Sequence, residues 1–382
     1  MIEGVTLQLN IGPVAADPAP RLVIEALTNV QVTLNDTGAS GFQLGFQAGR
    51  TSPLMTELYP SGYFDPPRRV QLIVTMNGQR TVLMDGVITR HEISAASQPG
   101  ASTLTITGSD LSEMMNRIDF SGLPWPMPPE ARVALMLAKY AMYGIIPLVI
   151  PSVLIAQPNP LNRIPKQRGT DLAYIRRLAA QVGYVFYVAP GPLPGMSHAY
   201  WGPQIKVGEV QPALSVNIDG ASNVDALSLS FDGLGKSVFI FYIQEENSRF
   251  PIPIPVPDVG LINPPLGPRQ PVPLSFTNLG NLAPQGDDNS TAKYDIMTAA
   301  MKGLAQASAR ADVITASGGL DVARYGHILK PRALVGVRGT GPSYDGHYYV
   351  KSVTSTIKPG SFQQSFRLTR NAFESFTQEI PV

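Results

Sequence analysis

The sequence predicts an α+β fold that is mainly β. Two regions, residues 70–107 and 332–370, combine short apolar–polar alternations with turn dipeptides, and apolar residues between them recur at helical spacing. Period-two patterns are typical of half-buried strands, whereas 3.6-residue patterns are typical of amphipathic helices. We therefore expect two antiparallel β regions with α/β segments inserted between them.

The first β region has the pattern of a meander. Residues 70–76 and 79–84 flank Asn77-Gly78, a pair that favours a tight hairpin turn. Residues 87–93 are predicted to form a third strand. After a Pro-Gly turn, threonines at 103, 105 and 107 alternate with Leu104 and Ile106, which predicts a strand with one wet and one dry face.

Helical periodicity begins after this region. One apolar stripe consists of Val133, Met136, Leu137 and Tyr140, and a second of Leu172, Ile175, Leu178, Ala179 and Val182. Thr170 is the expected N-cap of the second helix and Gly183 its end, with a strand over 184–189. A third helix is predicted over 291–309, where Ala299, Ala300, Gly303 and Ala307 form a small-residue strip suited to tight packing.

A proline-rich segment, residues 250–274, precedes that third helix. Each proline removes a backbone N–H that a central strand would need, so we expect an extended or polyproline-like arm.

The second β region repeats the pattern of the first. Residues 332–339 and 346–357 flank a Gly/Pro-rich connection, and Pro359-Gly360 forms the next turn. Beyond it, Phe362, Gln364, Phe366 and Leu368 fall on one face of an alternating strand. The recurrence at a spacing of about 260 residues indicates two related β units rather than a short-period solenoid.

Composition limits the classes of function. A length of 382 residues is consistent with two or three domains. Only 15% of residues are charged, against about 25% in typical soluble proteins, which indicates a surface largely covered by other subunits. The formal charge of +1 gives no electrostatic reason to expect nucleic acid or an anionic membrane as partner.

The sequence also shows no cysteine, no visible secretory leader and no apolar stretch long enough for a membrane helix. The chain has 0 cysteines, which excludes disulfides and cysteine metal sites. No secretory leader is visible at the start, so we expect assembly in the cytoplasm. The longest apolar stretch, 143–155, is interrupted by Pro147 and Pro151 and is shorter than the ~20 residues of a membrane helix, so no membrane anchor is expected.

Motifs for metal or phosphate binding are incomplete. The 4 histidines, His91, His198, His327 and His347, lack metal-ligand spacing, and Ala95 stands where a zinc-protease motif beginning at His91 needs its second histidine. Gly235-Lys236-Ser237 resembles the end of a phosphate-binding loop, but Ser230 replaces the first glycine. No catalytic, cofactor or metal residues are therefore assigned.

Two weaker constellations remain as alternatives. Asp110 with Glu113, or Glu245 with Glu246, could act as general acid and base on a glycan, although roles at a helix N-terminus or in a solvated turn explain them more simply. Tyr348, Tyr349 and Trp201 could form a sugar platform, although aromatic residues in alternating strands are usually core or interface material.

Several segments resemble the hub proteins of contractile tails. Gly318-Gly319-Leu320-Asp321, Tyr325-Gly326, residues 336–339, Tyr344-Asp345-Gly346 with residues 348–350, and residues 361–370 resemble the C-terminal barrel of these hubs. Residues 169–184 resemble their element of one helix, a glycine and an aromatic strand. The group comprises phage late control D proteins, phage baseplate hubs, the N-terminal half of VgrG spikes and hubs of extracellular contractile injection systems.

The resemblance implies two tail-tube-like antiparallel β-barrels per chain and a homotrimer, so that three chains present six barrels in a ring. It implies barrels at residues 1–112 and at 204–243 with 325–370. The α/β insertion would be 113–203, a second insertion with the proline-rich arm and helix 244–324, and a tail 371–382. The implied function is structural, the adaptation of a hexameric tail tube to a trimeric spike.

The partners implied are the tail tube protein, a spike protein and other baseplate proteins of a phage tail-like particle. No β-helical needle follows the second barrel as it does in VgrG, so we expect a separate spike polypeptide. Interface residues are expected on the second barrel and the arm: Arg338, Tyr348, Tyr349, Phe366, Arg367, Pro251, Pro253, Pro255 and Pro257. Burial of the aromatic residues in the core is the alternative.

Two other functions remain open at this point. A tail-associated peptidoglycan hydrolase would depend on carboxylates such as Glu113 or Glu245. A carbohydrate-binding module on the particle exterior would use the aromatic residues.

Overall fold

A computed structural model describes residues 4–98, 101–152, 164–218, 222–244, 251–256, 263–278, 303–305, 307–308 and 310–377. Within these ranges, strands dominate and helices are few and short, which confirms the predicted α+β, mainly β fold class. None of the helices in the described ranges is long and apolar enough to cross a membrane.

The strands, in chain order, are β1 (Val5–Gly12), β2 (Asp17–Pro18), β3 (Leu27–Asn35), β4 (Gly41–Gln47), β5 (Arg69–Met76), β6 (Gln79–Ser94), β7 (Thr103–Asp110), β8 (Ile145–Val149), β9 (Val185–Pro190), β10 (Ser197–Gly202), β11 (Val210–Ser215), β12 (Ala226–Phe231), β13 (Ser237–Gln244), β14 (Pro251–Val256), β15 (Ser275–Asn278), β16 (Ile314–Asp321), β17 (Leu334–Arg338), β18 (Gly346–Lys358) and β19 (Ser361–Arg370). The helices are α1 (Arg21–Ala26), α2 (Pro129–Ala138), α3 (Asp171–Gln181) and α4 (Val322–Tyr325), with a π-helical turn at Leu54–Leu58 and 3₁₀ turns at Leu111–Asn116 and Ala141–Tyr143.

A sheet of 13 strands contains two sets of six that share one topology. The first set, here called the N-module, has the spatial order β3-β4-β7-β6-β5-β1. The second, the C-module, has the order β12-β16-β19-β18-β17-β11. Numbering each set by its own chain order gives the same spatial order in both. One difference is that β1 runs antiparallel to β5, whereas β11 runs parallel to β17.

The two modules also share hydrogen-bond register. A β-bulge interrupts the β6–β7 pairing at Thr89, and the β18–β19 pairing has its bulge at Lys351. Directly before each bulge, the amide of Ile88 donates to Arg68 at 2.8 Å, and the amide of Val350 donates to Ala333 at 2.9 Å. Matching the two bulges therefore aligns the paired strands from β6 and β18 across to β3 and β12, with residue 90 corresponding to residue 352.

One hydrophobic core runs through both modules. The predicted face of β19 is confirmed, since Phe362, Gln364, Phe366 and Leu368 are buried. The side chain of Gln364 is buried among apolar groups but satisfied, because its amide nitrogen donates to Leu329 at 3.1 Å and to the Ser355 hydroxyl at 3.0 Å. Pairing of its polar atoms is what lets an amide occupy a core position.

Most of the predicted strands are present, but one boundary was wrong. Asn77 and Gly78 have positive φ values of 50° and 77°, as the predicted hairpin turn requires. The predicted strands 79–84 and 87–93 are a single strand, β6. Gly86 does not interrupt it, because a Cβ there would lie 2.3 Å from the Ser109 carbonyl oxygen: the glycine permits a close approach of strands rather than a turn.

The segment between the modules forms a separate α/β unit. The sheet β8-β10-β9 packs with α2 and α3 around a second core. Both predicted apolar stripes face that core, as predicted. Thr170 is the N-cap of α3, with its hydroxyl accepting from the amide of Ala173 at 3.2 Å, and Gly183 follows the helix with φ of 70°.

The proline-rich segment contributes an edge strand. The small sheet β14-β13-β15 has β14, residues 251–256, at its edge, which agrees with the expectation that prolines keep it out of a central position. Prolines at 251, 253 and 255 place their missing N–H groups on one side of the strand, because successive N–H groups alternate in direction. Residues 303–305 and 307–308 are helical, and the rest of the predicted helix 291–309, including Ala299 and Ala300, lies outside the described residues.

Candidate assembly interface

The two modules are joined by strand pairing, here called the intrachain junction. Residues 352–357 of β18 pair antiparallel with residues 30–35 of β3. The amide of Asp36 donates to the Lys351 carbonyl at 2.8 Å, and the hydroxyls of Thr33 and Thr354 lie 3.0 Å apart on facing positions. Backbone ladders of this kind provide affinity, while facing side chains define register.

An arginine locks one end of the intrachain junction. Arg332 has φ of 64° and its guanidinium donates to the Asn35 carbonyl, while its planar group lies 3.9 Å from the centre of the Tyr187 ring. Burial lowers the pKa of Arg332, an effect opposed by the charges of Tyr187, Tyr349, Asp110 and Asp36. Because Tyr187 belongs to β9, this contact also attaches the α/β unit to the junction.

Two buried ion pairs hold the modules against neighbouring segments. Arg69 and Asp85 form a bidentate pair at 2.7 and 2.6 Å, and the hydroxyl of Ser197 also lies 3.3 Å from Asp85. The ammonium of Lys206 lies 2.5 and 2.7 Å from the carboxylate oxygens of Asp312. These contacts are largely shielded from solvent, which makes each partner costly to remove.

Two strand edges that correspond to the intrachain junction have no partner strand among the described residues. By the alignment at the bulges, residues 90–95 correspond to 352–357 of β18, and residues 227–232 correspond to 30–35 of β3. The β6 edge is the side of residues 90–95 that faces away from β7, and the β12 edge is the side of residues 227–232 that faces away from β16. Ile93 and Phe231 are both 42% exposed there. Unpaired edges of this kind invite addition of a further strand.

The predicted aromatic interface residues lie in the core. Tyr348, Tyr349 and Phe366 are buried within the chain, the alternative stated for them above. Tyr348 donates its hydroxyl to the Tyr344 carbonyl at 2.8 Å, and burial raises its pKa to about 12. Their side chains support the C-module from inside rather than offering contact area.

The other predicted interface residues are dispersed. Arg338 donates to the Ser215 hydroxyl at 2.7 Å across the β11–β17 pair, and Arg367 is exposed on β19. Pro251, Pro253 and Pro255 lie on the edge strand β14, whereas Pro257 is outside the described residues. The described members of this set therefore lie on three different strands, β14, β17 and β19.

The candidate catalytic and sugar-binding groups have structural surroundings. Asp110 accepts from the amides of Ser40 and Ser112 at 2.7 and 2.9 Å, and burial raises its pKa. Trp201 is buried with Tyr184 packed edge-on at 4.9 Å, so with Tyr348 and Tyr349 it forms no exposed platform. Glu245 and Glu246 lie outside the described residues.

His91 and Lys236, which belong to the two incomplete motifs, make separate contacts. The His91 Nδ1 is 3.0 Å from the Tyr59 hydroxyl, and the Lys236 ammonium is 3.4 Å from Gln270. Across the described ranges, no group of 3 or more His, Cys, Asp or Glu side chains is arranged to hold a metal ion.

Comparison with known proteins adds the fold relationship. No protein-family model matches the chain, and no curated protein matches it either. The tail protein of Neisseria meningitidis MC58 superposes with a TM-score of 0.61 at 12% identity, covering 96% of this chain and 97% of that chain. The chain has the fold of phage tail proteins.

Two further solved structures agree with that conclusion. The 43 kDa tail protein of prophage MuSo2 from Shewanella oneidensis has a TM-score of 0.58 at 13% identity, with 96% of this chain and 98% of that chain covered. The E. coli c3393 protein, a type VI secretion component described as similar to T4 tail proteins gp27 and gp5, has a TM-score of 0.50 at 10% identity, with 93% and 78% covered. These neighbours are described as tail proteins and as a component of a secretion system.

Proposed function

We propose that this chain is the hub of the baseplate of a contractile injection machine. Three copies form a ring that adapts a hexameric tail tube on one side to a trimeric spike on the other. Its partners are the tube protein, the spike and other baseplate proteins, and its place is in a tail-like particle. The role is geometric and needs no catalytic residue.

The observation that carries this proposal is the duplicated module. Two six-strand sets with one strand order, one bulge position and an edge-to-edge junction let a single chain supply two equivalent positions of a ring. Three chains then supply six, which matches a six-fold partner, while every other part of the chain occurs three times. The relationship to tail proteins and to a type VI secretion component supports the same setting.

We further propose that the expected domain limits at residues 112 and 203 separate the N-module, the α/β unit and the C-module. The second segment of the C-module begins earlier than residue 325, because β16 pairs with β12 and β19 at 314–321. Limited proteolysis with mass determination of the fragments tests these limits, since cleavage should spare the paired strands on both sides.

The oligomeric state tests the hub assignment most directly. Native mass spectrometry of the purified full chain should give three copies per particle, and electron microscopy should show a ring with six similar lobes. A chain that stays monomeric at high concentration, with and without a trimeric spike protein, would contradict the proposal.

The two rival functions make different predictions. A peptidoglycan hydrolase would clear cell-wall substrate and lose this activity in Glu113→Gln, and a carbohydrate-binding module would bind glycans at the particle exterior. Neither has a supporting observation among the described residues, because Asp110 caps a 3₁₀ turn and the candidate aromatic residues are buried.

A further inference from the structure

The β6 edge and the β12 edge are the two halves of a second copy of the intrachain junction. In the intrachain junction, β18 of the C-module pairs with β3 of the N-module. The β6 edge corresponds to that part of β18, and the β12 edge corresponds to that part of β3. A chain therefore exposes two edges of one sheet that fit each other by internal analogy: β12 lies at one end of the strand order, and the β6 edge, residues 90–95, extends beyond the pairing of β6 with β5.

We propose that β6 of one copy pairs antiparallel with β12 of the next copy, which rests on the proposed trimeric ring. The intrachain register pairs 352 with 35 and 354 with 33. Transferred through the alignment of the modules, it pairs Arg90 with Asp232, Glu92 with Ser230, and Ser94 with Ser228. The partner is thus a second copy of this chain, bound by strand addition.

Facing side chains in this register are complementary. Arg90 stands opposite Asp232, and both are exposed in the single chain. Glu92 stands opposite Ser230, where a hydroxyl–carboxylate hydrogen bond replaces the Thr33–Thr354 contact of the intrachain junction. Ile93 stands opposite Leu229, so the partly exposed isoleucine gains an apolar neighbour. Opposite charges and apolar pairs across strands stabilise pairing, and no like charges face each other.

The interface is head-to-tail, because the two edges are different surfaces. Such a contact closes into a ring or grows into an open filament. In a three-chain ring, intrachain and interchain junctions would alternate and give six similar junctions. Three of them would join modules of the same chain, and three would join modules of different chains.

Cysteine pairs test the pairing in a chain that has 0 cysteines of its own. The Asp36–Lys351 hydrogen bond places Thr33–Thr354 at a non-hydrogen-bonded position, and by analogy Glu92–Ser230 as well. Facing Cα atoms at such positions are about 4.5 Å apart, within reach of a disulfide. Mild oxidation of the variant Glu92→Cys with Ser230→Cys should give covalent dimers and trimers that revert to monomers with reductant.

Two matched variants control the experiment. Thr33→Cys with Thr354→Cys should form its disulfide within one chain and so proves that oxidation is effective. Glu92→Cys with Ser228→Cys is out of register by two residues, and its Cα atoms would be ~7 Å or more apart, so it should crosslink far less.

The outcomes separate the pairing from the ring. A native mass of three chains, together with covalent dimers and trimers after oxidation, supports both the strand pairing and the ring. Trimer mass without a crosslink, while the intrachain control forms, overturns the pairing and leaves the ring intact. Crosslinked ladders that extend beyond trimers support the pairing and overturn the closed ring, and a monomeric mass overturns both.

Charge reversal provides a second test that does not depend on oxidation. Arg90→Asp or Asp232→Arg alone puts like charges face to face and should raise the concentration for half-dissociation by roughly tenfold. The double variant restores an opposite pair and should recover most of the loss. If the two single substitutions weaken association and the double variant is weakened by the sum of both effects, the assigned register is contradicted.

Discussion

At one matched pair of facing positions, the large and the small side chain are exchanged between strands. Phe42 of β4 faces Gly108 of β7, and a Cβ on Gly108 would lie 2.3 Å from the Phe42 ring. The corresponding pair in the C-module is Ala316 with Leu368, so the bulky residue is on the other strand. Each pair fills its space in a different way, as close packing of a shared backbone allows.

Neighbouring glycines on β16 provide a test of this packing. A Cβ on Gly318 would lie 2.4 Å from the Ala226 carbonyl oxygen and 2.7 Å from the Phe366 ring. Gly318→Ala should therefore lower the free energy of unfolding by about 1–3 kcal/mol. Urea denaturation followed by circular dichroism measures it.

The adjacent Gly319 is the matched control. A Cβ there would meet its nearest neighbour, the Gln364 carbonyl oxygen, at 3.9 Å. Gly319→Ala should be neutral or stabilise by up to about 1 kcal/mol through the unfolded chain. Equal destabilisation by both substitutions would mean that crowding around the Gly318 Cβ does not determine the effect.

A pH dependence follows from Asp312. Burial alone would raise the pKa of its carboxyl, but the Lys206 ammonium and hydrogen bonds from Asn263 and Thr369 outweigh burial and place the pKa below its ordinary value. A lowered folded-state pKa stabilises the fold above the unfolded-state pKa of about 4, and this contribution is lost as the pH falls from there through the folded-state pKa.

The difference between wild type and Asp312→Asn isolates that contribution. The difference between their free energies of unfolding should be largest above about pH 4 and should become smaller at lower pH. The comparison is needed because burial raises the pKa of Asp36 and Asp110, whose responses have the opposite sign. A difference that stays constant through the acid range would contradict the assignment.

Among elements, the β5–β6 hairpin is anchored to the α/β unit by the Arg69–Asp85 pair. Its side chains are 5% and 0% exposed, and Gly195 and Ser197 of the α/β unit add hydrogen bonds. Asp85→Ala leaves a buried guanidinium without its counter-ion and should cost about 3–5 kcal/mol of unfolding free energy. Thermal or urea unfolding measures the loss.

The exposed Arg21–Glu25 pair is the control for Asp85→Ala. Its side chains are 90% and 56% exposed at a similar separation of 2.6 Å. Glu25→Ala should leave the free energy of unfolding nearly unchanged, because solvent screens an exposed helical pair. Similar losses for the two variants would show that burial adds nothing to the Arg69–Asp85 contact.

The sequence predicts those elements whose local signals agree with their final environment. The Asn77-Gly78 turn and the alternating face of β19 were predicted because turn chemistry and burial coincide there. The family resemblance assigned β16 to the insertion 244–324, although Gly318 to Asp321 resemble the C-terminal barrel. Its Ala-Ser-Gly-Gly stretch has weak strand propensity and is held by neighbouring strands. The continuity of β6 was missed because Gly86 resembles a break.

At the scale of the whole molecule, the two modules share one hydrophobic core and are expected to unfold together. Native-state hydrogen exchange should give similar protection for β4 and β7 in the N-module and for β16 and β19 in the C-module. Gly318→Ala should lower protection in all four strands, because they open through one global transition. Loss confined to the C-module would instead show two independent folding units.

The candidate interface was the part least accessible from sequence. Tyr348 and Tyr349 were expected at an interface, but alternation alone does not distinguish a face covered by the chain itself from one covered by a partner. The β6 and β12 edges become recognisable only through strand order and bulge position, which depend on pairings between residues far apart in the chain. The exchange of large and small residues between facing strands further conceals the repeat.

The opposite directions of β1 and β11 have a consequence for any protein that grips the modules from outside. β1 runs antiparallel to β5 and β11 runs parallel to β17, so the two strands present different donor and acceptor patterns at two otherwise matched places. A partner that binds these strands would find its binding site on every second module of a three-chain ring. The direction of a single strand would thus be enough to make such a partner bind with three-fold rather than six-fold symmetry.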